Sequence, residues 1–322
     1  MKKNEDRRGQ SFMTKAKTKK PLFKDFKKNL PLLLLTIPGA AYIIINNYLP
    51  MFGVFIAFKR LDYAKGLFAS PWVGFENFEF LFSTAEAPRM IRNTVLYNVV
   101  FIVVGTLFAV IVAVLMSEIT QFSISKFYQG SMIIPNLISM VIVSYIVYAF
   151  LSPETGLVNS IIKAFGGAPV SWYSNTGAWP FILVIVQMWK TVGYNSIVYI
   201  ASITGIDPSL YEAARIDGAS RWEQIKRITL PSLKPLITLM ILMSCGRIFN
   251  SDFGLFYQVP QNSGILFPVT QTIDTYVYRG LMENNNVGMS SAAGLFQSVV
   301  GFLFVMGANA IVRKTNKEDA LF

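Results

Sequence analysis

The chain has 322 residues, 53% hydrophobic and 15% charged, with a formal charge of +11, one cysteine and no histidine. Its charge content is well below that of soluble domains, and the lone Cys245 with no histidine excludes an intramolecular disulfide, a structural zinc site and the commonest general base. It has no Gly-x-x-x-x-Gly-Lys-Ser/Thr phosphate loop, no Gly-x-Ser-x-Gly elbow and no carboxylate cluster placed for catalysis. An enzyme is not expected, and any energy for its work must come from a partner or an ion gradient.

Residues 1–28 carry eleven Lys and Arg side chains. Without an aromatic-interleaved binding module, this run reads as a topology anchor and a contact for anionic lipid, not for nucleic acid. Phe23 and Phe26, set among Lys24, Lys27 and Lys28, mark a short interfacial helix. Six apolar stretches follow, at 30–58, 91–117, 128–151, 177–205, 233–258 and 290–312, each long enough for the ~20 residues that cross a bilayer. The first is too long for a cleaved signal peptide and is interrupted by Pro38, Tyr42, Asn46 and Asn47. Lys126, Arg215, Arg221, Lys226, Arg227, Arg313, Lys314 and Lys317 fall on the side of the basic run, against Lys59, Arg60, Lys65, Arg89, Lys163 and Arg279 on the other. By the positive-inside rule both termini and the 206–232 loop are cytoplasmic. The fold class expected is an all-α integral membrane protein with six transmembrane helices over 29–315, flanked by tails 1–28 and 316–322.

The 206–232 loop is the one polar connection with a dense internal pattern. Asp207 can N-cap a helix that begins at Pro208, where the missing N–H costs nothing. Gly218 suits the C′ position that ends it. Ser220 and Glu223 have capping-box spacing for a second helix, which Pro231 is expected to stop before the next span. Within this frame stand Glu212, Ala213 and Ala214, three residues, Gly218, nine residues, then Ile228, Leu230 and Pro231. That gapless pattern resembles the EAA motif of permease subunits of ATP-binding-cassette (ABC) importers.

Weaker motifs extend the resemblance over most of 28–315. Asn47-Tyr48-Leu49-Pro50-Met51-Phe52-Gly53 with Ala57-Phe58-Lys59, Trp72-Val73-Gly74-Phe75-Glu76-Asn77-Phe78, and Asp274-Thr275-Tyr276-Val277-Tyr278-Arg279 are similar to segments of sugar and polysaccharide-type permeases. A departure lies at Asp252-Phe253-Gly254-Leu255-Phe256 and Val259-Pro260, where those permeases often have Phe-Asp/Glu-x-Phe followed by Asn-Pro. The resemblance implies the type I ABC importer permease fold in a bacterial inner membrane. It also implies a second permease subunit (a heterodimer being favoured), two ABC ATPase subunits and an extracytoplasmic solute-binding protein. ATP and Mg would be bound by the ATPase partners and no cofactor by this chain. Glu212 would contact the ATPase groove, Ala213 and Ala214 would allow close approach, and Gly218 would make the bend.

Charges inside spans are the guide to cargo, because they are costly in lipid and usually face a bundle interior or water. Lys190 sits mid-span with Gln187 and Tyr194 at helical spacing, and Asn195 follows. Ser244, Arg247 and Ser251 form a second expected stripe, with Asn250 at its edge and Asp252 pointing away. If these line a pathway, Tyr194 offers a stacking face, Asn195 and Asn250 bond hydroxyls, and Lys190 and Arg247 favour carboxylated sugars such as uronates. The alternative is that the two cations bond to the second permease or to backbone carbonyls, or snorkel to an interface. Other readings are an ABC permease for a peptide, amino acid or phosphate, a scaffold subunit, and an ion-coupled secondary transporter. The last would need an internal repeat and paired midplane carboxylates, and only Asp252 offers an acid.

Overall fold

The computed structural model describes residues 30–283 and 285–315. The expected basic segment 1–28 with its interfacial helix, and the tail 316–322, lie outside the described residues. Two units are distinguished, Met1–Gly53 and Val54–Phe322. The described residues are helical with no named strand, and an isolated β-bridge joins Lys59 and Trp72. In the first unit α1 (Leu30–Ile43) passes through a π-helical turn at Ile44–Tyr48 into Leu49–Met51. The turn ends two residues before Pro50, which cannot donate to an i−4 carbonyl.

In the second unit, α2 (Ala87–Ser117) and α5 (Trp179–Thr204) pack along one another. Ala109 and Ala113 are fully buried against Tyr199, Ile200 and Ile203. Small residues allow such close approach where lipid supplies no hydrophobic drive between helices. Toward the other end of the pair, Tyr97 from α2 and Trp179, Leu183 and Val186 from α5 share a core with Leu255 and Phe256. α9 (Val287–Thr315) runs beside α8 (Ile273–Met282), with Met289 and Ala293 buried against Ile273 and α2's Met90.

The third expected span, 128–151, is not one helix. α3 (Phe122–Leu137) and α4 (Met140–Leu151) meet at a 96° bend. Pro135 near the end of α3 removes a ladder donor, and Ser139 starts α4 by accepting from the Ile142 N–H at 3.4 Å. Five described helices are long and apolar enough to cross a membrane, or six if the bent pair counts as one span.

The fifth expected span, 233–258, is displaced, and Pro231 does not stop the helix before it. Arg221–Gln224, a π turn at Ile225–Thr229 and Leu230–Cys245 form one helix, α7 (Arg221–Cys245). At the π turn the Leu230 N–H bonds to the Ile225 carbonyl, and the ladder resumes beyond the proline's missing donor. α7 ends near Gly246; residues 246–249 are turns and 250–252 irregular, and Phe253 leads into a π turn at Gly254–Gln258.

Candidate functional site

Two regions of the second unit have functional geometry: a charged elbow at one end of α7 and a polar cleft at the other.

The elbow is built as its local sequence dictates. α6 (Pro208–Ile216) starts at Asp207, whose Oδ1 accepts from the Ser209 N–H at 2.9 Å. That backbone donor holds the Asp207 carboxyl below its ordinary value. α6 ends in a Schellman motif: Gly218 has φ +80, its N–H bonds the Arg215 carbonyl, and the Ala219 N–H reaches the Ala214 carbonyl at 2.8 Å. The Ser220–Glu223 capping box then starts α7 with both reciprocal bonds made. Tyr211 and Thr229 share a hydroxyl bond at 2.9 Å across the fold of the elbow. Arg221 reaches Glu118, just past the end of α2, at 3.6 Å.

Glu212 and Ala213 are exposed and Ala214 is half-buried. Ile216 is 87% exposed and Trp222 69% exposed, so the elbow presents apolar side chains beside its charges. Gly218, Ala214, Glu223, Gln224, Arg227 and Ile228 line a small pocket of about 330 Å³ in the bend. Leu230 is half-buried and Pro231 exposed on the shaft of α7.

The cleft lies among α2, α5 and α7, with a volume of about 390 Å³. Asn98, Thr106, Gln187, Thr191, Asn195, Ser244 and Arg247 give it polar walls, and Met188, Met240 and Met243 supply soft apolar surface. Of the sequence candidates, Gln187, Asn195 and Arg247 come together here. Thr191, Tyr199, Asn98 and Thr106 were missed. The signals were the i, i+4, i+8 row 187–191–195, continued by Tyr199, and the small or polar row Asn98, Gly105, Thr106, Ala109 on α2.

The other candidates sit elsewhere. Lys190 is 8% exposed, and its ammonium donates to the carbonyls of Pro135 at 3.3 Å, Asn136 at 3.1 Å and Ile138. It therefore caps the broken end of α3, where orphan carbonyls and the negative end of the helix dipole favour a cation. Beside it, a Cβ on Gly193 would stand 2.2 Å from the Met132 carbonyl oxygen. Tyr194 is exposed and lies outside the cleft. The expected Ser244–Arg247–Ser251 stripe does not form, because the helix ends at Cys245.

Asn250 lies in the irregular segment, with its carbonyl held by the Asn98 side chain at 2.9 Å. Asp252 is exposed and accepts from the Leu255 N–H at 3.1 Å, so it caps a turn instead of standing as an acid within a span. Non-helical backbone at membrane depth is tolerated only where protein buries it or it lines water. Here Asn98 also holds the Ile248 carbonyl at 3.0 Å, and Gln297 of α9 holds that of Phe249 at 2.7 Å.

The family model described as binding-protein-dependent transport system inner membrane component matches residues 67–317. The polygalacturonan/rhamnogalacturonan transport system permease protein YteP of Bacillus subtilis (strain 168) is 31% identical over 304 residues, 94% of each chain. A solved bacterial ABC transporter involved in import of the acidic polysaccharide alginate has a subunit that superimposes with TM-score 0.83 at 32% identity, covering 92% of this chain and 99% of its own. The bacterial alginate ABC transporter in complex with an alginate pentasaccharide-bound periplasmic protein gives TM-score 0.83 at 31% identity, with the same coverage.

Proposed function

We propose that this chain, which belongs to the family of binding-protein-dependent transport system inner membrane components, forms half of the translocation pathway of an ATP-driven importer for an oligosaccharide. The cleft takes the sugar, the elbow docks on a cytoplasmic ATPase, and a second permease subunit completes the pathway. A solute-binding protein delivers cargo from outside, and ATP and Mg are held by two ATPase subunits, not by this chain. Its location is the bacterial inner membrane, with the elbow inward.

One observation carries the coupling: elbow and cleft are the two ends of the same helix. α7 begins at Arg221 inside the elbow, and its last turn places Ser244 in the cleft beside Arg247. At 1.5 Å per residue it is a rod of about 37 Å. Displacement of the elbow by closing ATPases is thereby delivered to the cleft wall. Glu212 supplies the polar contact with the ATPase, Ala213 and Ala214 the close approach, and Gly218, Ile228, Leu230 and Pro231 the shape of the bend and shaft.

The cleft's amides and hydroxyls suit a hydroxyl-rich cargo, and Arg247 is the cation available for a carboxylated sugar. Lys190 no longer supports that preference, since its ammonium is spent on carbonyls. Asp252, as a capping residue, gives ion-coupled transport no paired midplane carboxylates.

The test is affinity purification in mild detergent with Glu212→Lys and Gly218→Trp variants, followed by sugar-stimulated ATPase assay of the assembled complex. Wild type should bring down an ATPase and a second six-span protein, and the variants should lose only the ATPase. Arg247→Gln should weaken stimulation by uronate oligosaccharides more than by neutral ones. Purification of the chain alone, with transport driven by an ion gradient, would overturn the reading.

A further inference from the structure

A second polar pocket, of about 330 Å³, lies between the first turns of α4 and the turn that follows the Gly254–Gln258 π helix. That volume is at the lower end of small-molecule sites, ~300–1,000 Å³. Ser144 and Tyr145 line one wall, and Tyr257, Gln258, Gln261 and Asn262 the other. No residue is shared with the cleft among α2, α5 and α7. Tyr257 at the pocket lies ten residues along the chain from Arg247 at the cleft, with Leu255 and Phe256 buried in the core between them.

The turn holds Gln261 in a conformation that this residue type does not prefer. Gln261 and Asn262 have φ of 54 and 48, in the left-handed region, which asparagine tolerates and glutamine rarely adopts. Such strain persists only where surroundings over-determine it, and it clusters at functional sites. Here the surroundings are explicit. Arg279 is 7% exposed, its Nε donates to Asn262 Oδ1 at 2.9 Å, and its guanidinium lies 3.8 Å over the Phe267 ring. Its two terminal nitrogens are buried without a hydrogen-bond partner among the described residues, and Arg279 stands behind Asn262 without itself lining the pocket. Tyr257 is fixed against Phe253 at 4.8 Å and Tyr278 at 5.2 Å between ring centroids. Because an arginine only donates, Asn262 must give it the carbonyl oxygen, which leaves its amide nitrogen for the pocket.

We infer that this pocket is a second saccharide subsite, taking one sugar ring of the same oligosaccharide whose other part lies in the cleft. The chemistry is that of a neutral polyol. Side-chain amides donate and accept at once, which matches vicinal hydroxyls, and tyrosines offer an apolar face with a polar tip. No cation among the described residues lines the pocket, so it reads hydroxyls, whereas Arg247 in the cleft reads charge. The inference rests on the saccharide reading of the cleft, and its test separates the two.

The complex of both permeases, ATPases and binding protein, reconstituted in liposomes, is assayed for ATPase stimulation. The probes are galacturonate and alginate oligosaccharides, with arabino-oligosaccharides as a neutral arm, from disaccharide to pentasaccharide. Gln261→Gly removes the amide and relieves the left-handed backbone, so loss of folding would not explain its effect. Gln261→Asn keeps an amide and tolerates the same conformation. Tyr145→Ala removes the exposed ring and Tyr145→Phe keeps it.

Gln261→Gly and Tyr145→Ala should each raise KM for the longest stimulating sugar about tenfold, roughly one hydrogen bond's or stacking face's worth. They should leave kcat and the disaccharide response unchanged, and Gln261→Asn and Tyr145→Phe should restore the wild-type KM. If disaccharide and pentasaccharide respond equally, or neither changes, the second subsite is refuted while the cleft stands. If the variants lose the second permease on purification, the pocket is a subunit contact and the subsite is refuted. If no sugar stimulates the wild-type complex, the saccharide reading of both sites falls together.

Discussion

Lys190 offers the sharpest test of how the membrane region is held. Replacing it with Met keeps a long unbranched side chain but takes the donors away from the carbonyls of Pro135, Asn136 and Ile138. A hydrogen bond to a charged group has a net worth of about 1.5–3 kcal/mol, desolvation included. Three bonds sharing one ammonium do not add, so the expected loss is roughly 2–4 kcal/mol. Removing the ammonium of a residue that is 8% exposed offsets part of what the carbonyls lose, which is why the sum stays well short of three full bonds. At a few °C per kcal/mol for a large domain, the denaturation midpoint in mild detergent should fall by roughly 5–15 °C. Substrate KM in the assembled complex should stay constant at temperatures where the variant is folded. An unchanged midpoint with a shifted KM for charged sugars would refute the capping role and return Lys190 to the pathway.

Three further outcomes are expected. Gly193→Ala should destabilise the chain by about 1–3 kcal/mol, the usual range for overpacking, because its Cβ would meet the backbone oxygen of Met132 at 2.2 Å; a thermal shift in detergent reads this out. Gly218, at φ +80, should tolerate Asn but lose about 1–2 kcal/mol of elbow stability as Ala, seen as weaker ATPase co-purification for Gly218→Ala than for Gly218→Asn. Asp207 has its carboxyl held low by the Ser209 N–H, so its cap is present above the unfolded carboxylate pKa and is lost as pH falls through the lower folded value. Amide protection at Ser209 should therefore drop on acidification in wild type and not in Asp207→Asn, which caps without titrating.

The elbow was legible because each of its devices is local. A proline after Asp207, a glycine at the turn and a Ser–Glu pair at capping distance act over three or four residues, and the structure uses all of them. What failed was the reading of Pro231 as a stop, since a π turn lets the ladder resume past a missing N–H. The bend at 138–139 was hidden because both arms are apolar and their summed length fits one span. The end of α7 had a signal, the cluster Asn250-Ser251-Asp252 before Gly254, which the hydrophobic run on either side outweighed. Choosing the cleft face by charge adds Lys190 and Tyr194 to Gln187 and Asn195, whereas the wall follows Gln187, Thr191 and Asn195. The carbonyls that Lys190 binds are 52 to 55 residues away, a distance that periodicity cannot see.

The same polar residues show where α7 must flex if it carries force. Below Cys245 it is continuous helix to the elbow. Above the joint, the Ser251 N–H and hydroxyl both bond Asp274 Oδ2, at 2.6 and 2.8 Å, and the hydroxyl also reaches Thr272 at 2.7 Å. Ser251 is thus pinned to the start of α8, and movement delivered along the rod has only residues 246–250 in which to be absorbed. There the carbonyls of Ile248, Phe249 and Asn250 rest on side-chain amides of Asn98 and Gln297. A side-chain amide can follow a shifting carbonyl by rotating about its own bonds, which a helical N–H cannot do without breaking the ladder. Arg247 lies within this joint and in the cleft wall, so under the proposed coupling the cation offered to the cargo is the side chain that the elbow's motion would displace most directly.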